Sequence, residues 1–362
     1  MAIDSVTSLR RHLQWALRVE LSLAPVYLYA AYSIKDPYSI ASRLIISVAA
    51  EEMLHATLDA NILVAIGGRP VFSDPATAPA YPMMMPHHKP PIRLDLRPAS
   101  SEVMGLFCTI ERPQGSGAIP EDDEYETQGQ FYQAIEEAFE RLASPELFAE
   151  NDPSRQLGDP SYYAPVQFDA EDSGGLELIT DIHGVRRALE TVIHQGEGLR
   201  DERWADPAHQ ELTHYYKFLA IRDGDEAIGD VWPAAVSPTV ADIAPPLREV
   251  AVLADTIYST VLLTLDELYE PMPPGQRGPL VGALYGLMKD ALGPACRFLM
   301  SQPIALGSST HAGPAFDLIE FSSHAEAVAE LRSAARRSAD VFPVLEPVAA
   351  VVDVIANGAR RT

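Results

Sequence analysis

Apolar residues return at helical intervals from the start of the chain. Leu13, Leu17, Ala24, Leu28 and Ala31 share one face of residues 6–33, and that spacing predicts a helix. Pro25 falls inside the run and, lacking a backbone N–H, should kink the helix or begin a second helical piece. Leu44, Val48, Leu58, Ile62 and Ile66 predict a second helix over residues 40–66, with Gly67-Gly68 as its stop. Further helical patterns occupy about 101–112, 124–143, 181–197 and 208–221. Two long apolar helices follow over about 246–270 and 278–300, hinged by Met272-Pro273-Pro274-Gly275. One more is expected at about 323–338, and residues 344–360 read as a further helical tail. No stretch alternates as a strand would, so the expected class is all-α. The proline-rich residues 69–100 should form an extended, irregular excursion, and 144–180 a second long loop.

Some polar residues sit where the pattern calls for apolar ones. Glu20 lies in the middle of the first helix's stripe, and His55 lies at the centre of the second, flanked by Glu51 and Glu52. An ionised carboxylate among leucines is costly unless a positive charge answers it. No Lys or Arg shares either stripe, and a bound cation would meet the need. Glu52 and His55, three apart, point the same way on a helix and can reach one ion. One Glu from a helix plus Glu-x-x-His from its neighbour is half of the carboxylate-bridged site of ferritin-like di-iron and di-manganese bundles. The bland alternative is a buried Glu–His hydrogen bond that holds two helices together.

A second half would need more carboxylates and another histidine. Glu211-Leu212-Thr213-His214 repeats the Glu-x-x-His spacing; Glu197 lies among glycines that allow close backbone approach, and Glu111 borders the stripe of its own helix. Glu211 can equally be a helix-surface charge, and Glu111 a cap or a partner of Arg112. Glu136 and Glu137 point away from the stripe of Phe131, Ile135, Ala138 and Leu142 and are rejected as ligands. His87-His88 reads as an exposed polar pair in a methionine-rich loop. Tyr27, Tyr29 and Tyr32 read as packing residues, although a tyrosine beside a metal can also donate a hydrogen bond.

Composition narrows the function classes. A formal charge of −24 over 362 residues disfavours nucleic acid and anionic membrane as partners. Two cysteines cannot build a disulfide framework or a thiolate metal site. The N-terminus lacks a signal-peptide pattern, and no apolar run is long enough to span a bilayer. The expected location is cytoplasmic. Neither a glycine-rich phosphate loop nor a G-x-S-x-G elbow occurs.

An ordered series of motifs resembles a known family. Glu20 to Ala30, Glu51-Glu52-Met53-Leu54-His55 and Ala65 to Pro70 are similar to the ferritin-like domain of iminophenyl-pyruvate dimer synthases, the violacein-pathway and chromopyrrolate-synthase type. Tyr81-Pro82, Phe107 to Pro113, Gly129-Gln130-Phe131-Tyr132, Gln195 to Gly198 and His214-Tyr215 with Phe218 follow in the same order, so that the likeness spans about residues 6–225. It implies a ferritin-like fold, iron dependence and oxidative chemistry on an amino-acid-derived substrate in secondary metabolism. It also implies Glu20, Glu52, His55, Glu197 and His214 as metal ligands, with Glu111 or Glu211 completing the set.

The combined expectation is a ferritin-like helical bundle with long loop insertions and additional C-terminal helices. Residues 1–225 form the metal-binding region, and 226–362 a helical region that completes the bundle or packs on it. The expected activity is that of a non-haem dinuclear iron oxidoreductase acting with O₂ on a small molecule, manganese also suiting the ligand types. Loops 69–100 and 144–180 should cover the mouth of the site. A homo-oligomer is left open, and a non-catalytic metal-binding or storage protein is the rival reading.

Overall fold

The computed structural model describes residues 3–115, 118–163, 175–196, 213–273 and 275–359. The predicted helices appear as α1 (Val6–Ser33), α2 (Ile40–Ala65), α3 (Ser101–Ile110), α4 (Gln128–Leu142), α5 (Ile182–Gly196) and α6 (His214–Asp223), then α7 (Arg248–Leu268), α8 (Arg277–Tyr285), α9 (Gly293–Met300), α10 (His324–Val341) and α11 (Glu346–Ala359). Local chemistry sets many boundaries. Ser5, Ser39, Ser100, Thr127 and Ser323 each accept the backbone N–H three residues on, opening α1, α2, α3, α4 and α10. Helix α2 stops where predicted: Gly67 turns left-handed at φ 73°, and the N–H groups of Gly67 and Gly68 close on the carbonyls of Val64 and Leu63.

Three expectations are corrected. No second helical piece begins at Pro25: α1 continues through it as one element, because burial of its apolar residues outweighs the one hydrogen bond that proline withholds. The helix expected over 278–300 contains a wider π-helical stretch, Gly286–Leu292, between α8 and α9. Residues 69–100 are irregular for most of their length, as expected, but they are packed. They hold a two-residue hairpin, β1 (Met83–Met84) against β2 (Arg93–Leu94), and bury Phe72, Met85, Leu94 and Leu96.

This excursion runs the length of α1. Val71 exchanges two hydrogen bonds with Gln14, the Tyr81 hydroxyl donates to the Ser22 carbonyl at 2.6 Å, and Ala99 N–H donates to Ser33 Oγ at 2.8 Å. His87 and His88 are therefore not an exposed pair. His87 stacks on Trp15 with centroids 4.1 Å apart, and His88 is buried against Tyr125.

Helix α1 packs along α2, α3 packs along α6, and α2 reaches α5 and α6. Tyr27, Phe107 and Phe218 interlock α1, α3 and α6 with ring centroids 4.7–5.0 Å apart. The C-terminal helices add to the same continuous core: α10 lies on α7 and α11, and α9 lies on α1. Arg297 of α9 donates to the carbonyls of Ile34 and Lys35 at 2.7 and 2.8 Å, satisfying acceptors that the end of α1 leaves open. Among the described residues no helix is long and apolar enough to cross a membrane.

The described parts of 144–180 lie on the outer face of α2. Asn61 fixes them there, donating to the carbonyls of Leu157 and Glu177 and accepting from Leu157 N–H, all at 2.9 Å. Replacing Asn61 with Ala strands three backbone groups, each bond being worth about 1 kcal/mol. Asn61→Ala is expected to lower the unfolding free energy by about 2–4 kcal/mol in denaturant titration. A loss well under 1 kcal/mol would show that water replaces the side chain.

Candidate metal centre

The bundle brings together most of the residues that the stripes singled out. Glu20 comes from α1, Glu52 and His55 from α2, Glu111 from the residue capping α3, and His214 from the first turn of α6. All five are buried. Glu111 is the residue that caps α3, one of the two alternatives for it, and is not the partner of Arg112, which pairs with Glu126 instead. Glu136 and Glu137 lie on α4 outside this cluster, and Glu137 pairs with Arg141. Glu197 and Glu211 fall outside the described residues.

The ligand-type atoms form two groups: Glu20, Glu52 and His55, and Glu52, Glu111 and His214, the atoms of each lying within 4.8 Å of one another. Glu52 belongs to both. Its Oε2 lies 3.7 Å from His55 Nδ1, and its Oε1 lies 3.0 Å from His214 Nδ1. Glu20 Oε2 approaches His55 Nδ1 at 3.6 Å, and Glu111 Oε2 approaches His214 Nδ1 at 3.4 Å. The two imidazoles stack with centroids 5.3 Å apart. One carboxylate placed between two imidazole–carboxylate pairs is the arrangement that two cations would share.

Each group is oriented from outside. Tyr132 of α4 donates its hydroxyl to Glu20 Oε1 and lies 2.9 Å from Asp59 Oδ2, while Tyr27 donates to Glu111 Oε1. His55 Nε2 faces Gln195 Oε1 at 2.9 Å. His214 Nε2 faces Glu51 Oε2 at 2.9 Å, and Lys217 Nζ grips both Glu51 oxygens at 2.6 and 2.7 Å. The positive charge that the stripes of α1 and α2 lack thus arrives for Glu51 from α6, one turn past His214. Of these supporting residues, Asp59 had a legible signal, since it continues the stripe of Glu52 and His55. Lys217 and Gln195 had none, because each meets its partner across helices.

Among the described residues Glu20, Glu51, Glu52, Asp59 and Glu111 are five buried carboxyl groups set against one ammonium and two imidazoles. With all five ionised and both imidazoles protonated, two negative charges would be left over, so that without a cation some of these carboxyls must hold protons. Burial and the neighbouring Glu20 charge push the Glu52 carboxyl well above its usual range, and burial with the Glu20 charge does the same to Asp59. Burial alone would depress His214, yet Glu52, Glu111 and Glu51 raise it well above an ordinary histidine. Glu20 Oε2 and both oxygens of Glu52 have no hydrogen-bond partner. Unpartnered carboxylate oxygens converging with imidazole nitrogens fit a divalent transition metal. The space beside Glu52, His55 and His214 is about 10 Å³, on the scale of one small ion or water.

The outer face of α2 differs in kind. Ala50, Met53, Leu54 and Thr57 line an apolar cavity of about 110 Å³ with Tyr162 and Tyr285, opposite the ligand face on the helical wheel. The described part of 144–180 therefore covers this outer cavity rather than the mouth of the site.

The ferritin-like family model matches residues 13–223, more than half of the chain. The chain belongs to the ferritin-like family. It is 25% identical to a dichlorochromopyrrolate synthase from Lentzea aerocolonigenes over 88% of this chain and 36% of that protein. It is 24% identical to a 2-imino-3-(indol-3-yl)propanoate dimerase from Chromobacterium violaceum over 92% of this chain and 36% of that protein. The chain thus spans about a third of the length of these curated relatives, which match the family that its motifs resemble. A ferritin-like protein from Caulobacter vibrioides shares the fold, with a TM-score of 0.62 and 23% identity over 86% of this chain and all of that one.

The Glu51–Lys217 pair can be tested without metal. Burial would push the Glu51 carboxyl up, but Lys217 and His214 outweigh it and hold it down at about 2. Its contribution to stability is full above the ordinary carboxylate range and fades as pH falls toward 2. Lys217→Met strands a buried carboxylate and should cost about 3–5 kcal/mol in the metal-free protein at neutral pH. The Glu51→Gln/Lys217→Met double variant should recover much of that loss in a double-mutant cycle; additive losses would contradict a direct pair.

Proposed function

We propose that this ferritin-like protein is a non-haem dinuclear iron oxidoreductase that uses O₂ on a small, amino-acid-derived substrate in secondary metabolism. The observation that carries the reading is Glu52, whose two oxygens face two separate carboxylate–histidine groups. Glu20, Glu52 and His55 would hold one ion, and Glu52, Glu111 and His214 the other. Glu197 and Glu211 are further ligand candidates on the strength of the family resemblance. Two iron ions, when bound, supply one-electron redox steps and a place for O₂; manganese suits the same donors.

The chain's own residues supply the setting. Tyr27 and Tyr132 aim the Glu111 and Glu20 carboxylates, and the apolar helices around them exclude bulk water. Tyr132, placed between Glu20 Oε1 and Asp59 Oδ2, can pass a proton between these buried carboxylates. The substrate class rests on the names of the relatives, a synthase and a dimerase, and on the motif series shared with them.

Metal analysis and oxygen consumption test the proposal together. The protein purified from iron-supplemented cells should carry about two iron ions per chain and consume O₂ after anaerobic reduction. Glu52→Ala should lose most of the metal while retaining the helical circular dichroism spectrum, because it removes a ligand from both groups. A folded parent without iron or manganese would overturn the reading. Metal in large excess over two per chain would favour storage.

A further inference from the structure

Resting on the metal-centre reading above, we propose that Gln128 and the first turn of α4 form a carboxylate-binding site. It receives one oxygen of the substrate's carboxylate beside Glu52, Glu111 and His214, and so fixes where the substrate lies at the centre.

Helix α4 buries a stripe of Phe131, Ile135, Ala138 and Phe139, and Gln128 continues that stripe one turn toward the N-terminus. An apolar residue would suit the fold there. Gln128 is instead an amide only 9% exposed, and its Nε2 has no hydrogen-bond partner. A buried donor left unanswered is costly, and native structures keep few of them. The neighbouring Thr127 does not answer it, since that hydroxyl accepts from Gln130 N–H. Tyr132, four residues on and on the same face, uses its position to bond Glu20. Gln128 lines the space of about 10 Å³ with Glu52, His55, Glu111 and His214, yet among the described residues no acceptor meets its amide.

The chemistry of the position favours an anionic oxygen. Gln128 opens a helix of 15 residues, and the N-terminal end of a helix presents N–H donors and favours negative charge. The space admits one oxygen-sized atom. Gly196 leaves its α5 wall without a side chain, where a Cβ would stand 3.9 Å from Glu111 Oε2. The carboxyl groups of the centre repel an anion, so a carboxylate enters only once cations are held there. An amino-acid-derived substrate brings such a carboxylate.

Calorimetric titration of the full chain loaded with Co²⁺ tests the site. The probes are formate, phenylpyruvate as a 2-oxo acid, and phenylpyruvate methyl ester as the neutral control. Gln128→Leu should weaken both acids about 10–100-fold and leave the ester unchanged. Its Co²⁺ content should match the parent's, and its unfolding temperature should equal or exceed the parent's, because neither a ligand nor a partnered amide is lost. The metal-free parent should not bind the acids. A crystal structure of the loaded protein with phenylpyruvate should show a carboxylate oxygen within hydrogen-bond reach of Gln128 Nε2. Acid affinities unmoved by Gln128→Leu would mean that the amide holds only water, and would overturn the proposal. A loaded parent that binds neither acid, equal binding without metal, or a carboxylate seated elsewhere would overturn it too. Loss of Co²⁺ from Gln128→Leu would do the same, making Gln128 a support of the metal. A parent that takes up no Co²⁺ would overturn the metal reading first, and this site with it.

Discussion

Everything in the bundle is arranged around negative charge that has been taken out of water. Among the described residues five carboxyl groups lie buried around α1, α2, α3 and α6, and ionised carboxylates in an apolar interior are expensive unless positive charge answers them. Lys217 answers one. Glu20, Glu52 and Glu111 converge on two histidines, Asp59 meets Tyr132 behind Glu20, and this gathering of acidic groups sets the chemistry of the centre. The same stretch of chain packed with leucine in their place would make a more stable bundle and an inert one.

Support comes from outside the ligands. Tyr27 and Tyr132 reach in from α1 and α4, Gln195 from α5 and Lys217 from α6, so that Glu111, Glu20, His55 and Glu51 each have a partner on a different helix, while Glu52 is left unpartnered between them. Such partners fix orientation, which is where much of a metal site's affinity and reactivity is set. The arrangement also ties the helices to one another, since moving α6 disturbs Glu51, Glu52 and Glu111 together.

Much of this was legible along the chain. The helices followed from apolar spacing, and Glu20, Glu52 and His55 stood out because they occupied the centres of stripes where apolar residues belong. Glu111 and His214 were weaker candidates on sequence alone, since neither sits amid a clean stripe. The supporting shell could not be read, because Lys217 meeting Glu51 and Gln195 meeting His55 are contacts between helices far apart in sequence. Residues 69–100 misled for another reason: proline breaks periodicity but does not prevent an extended chain from laying Phe72, Leu94 and Leu96 into a core. The continuity of α1 through Pro25 is likewise a tertiary outcome, in which packing overrides local preference.

Helix α2 has almost no free side. From Ala41 to Ala65 only Arg43 is exposed; one face carries Glu52, His55 and Asp59, and the other lines an apolar cavity. A helix of this kind has no direction in which to drift. One residue inserted near its middle would turn the following segment by about 100° and carry histidine and aspartate out of the centre's register. An insertion is better absorbed in a surface loop than anywhere along α2.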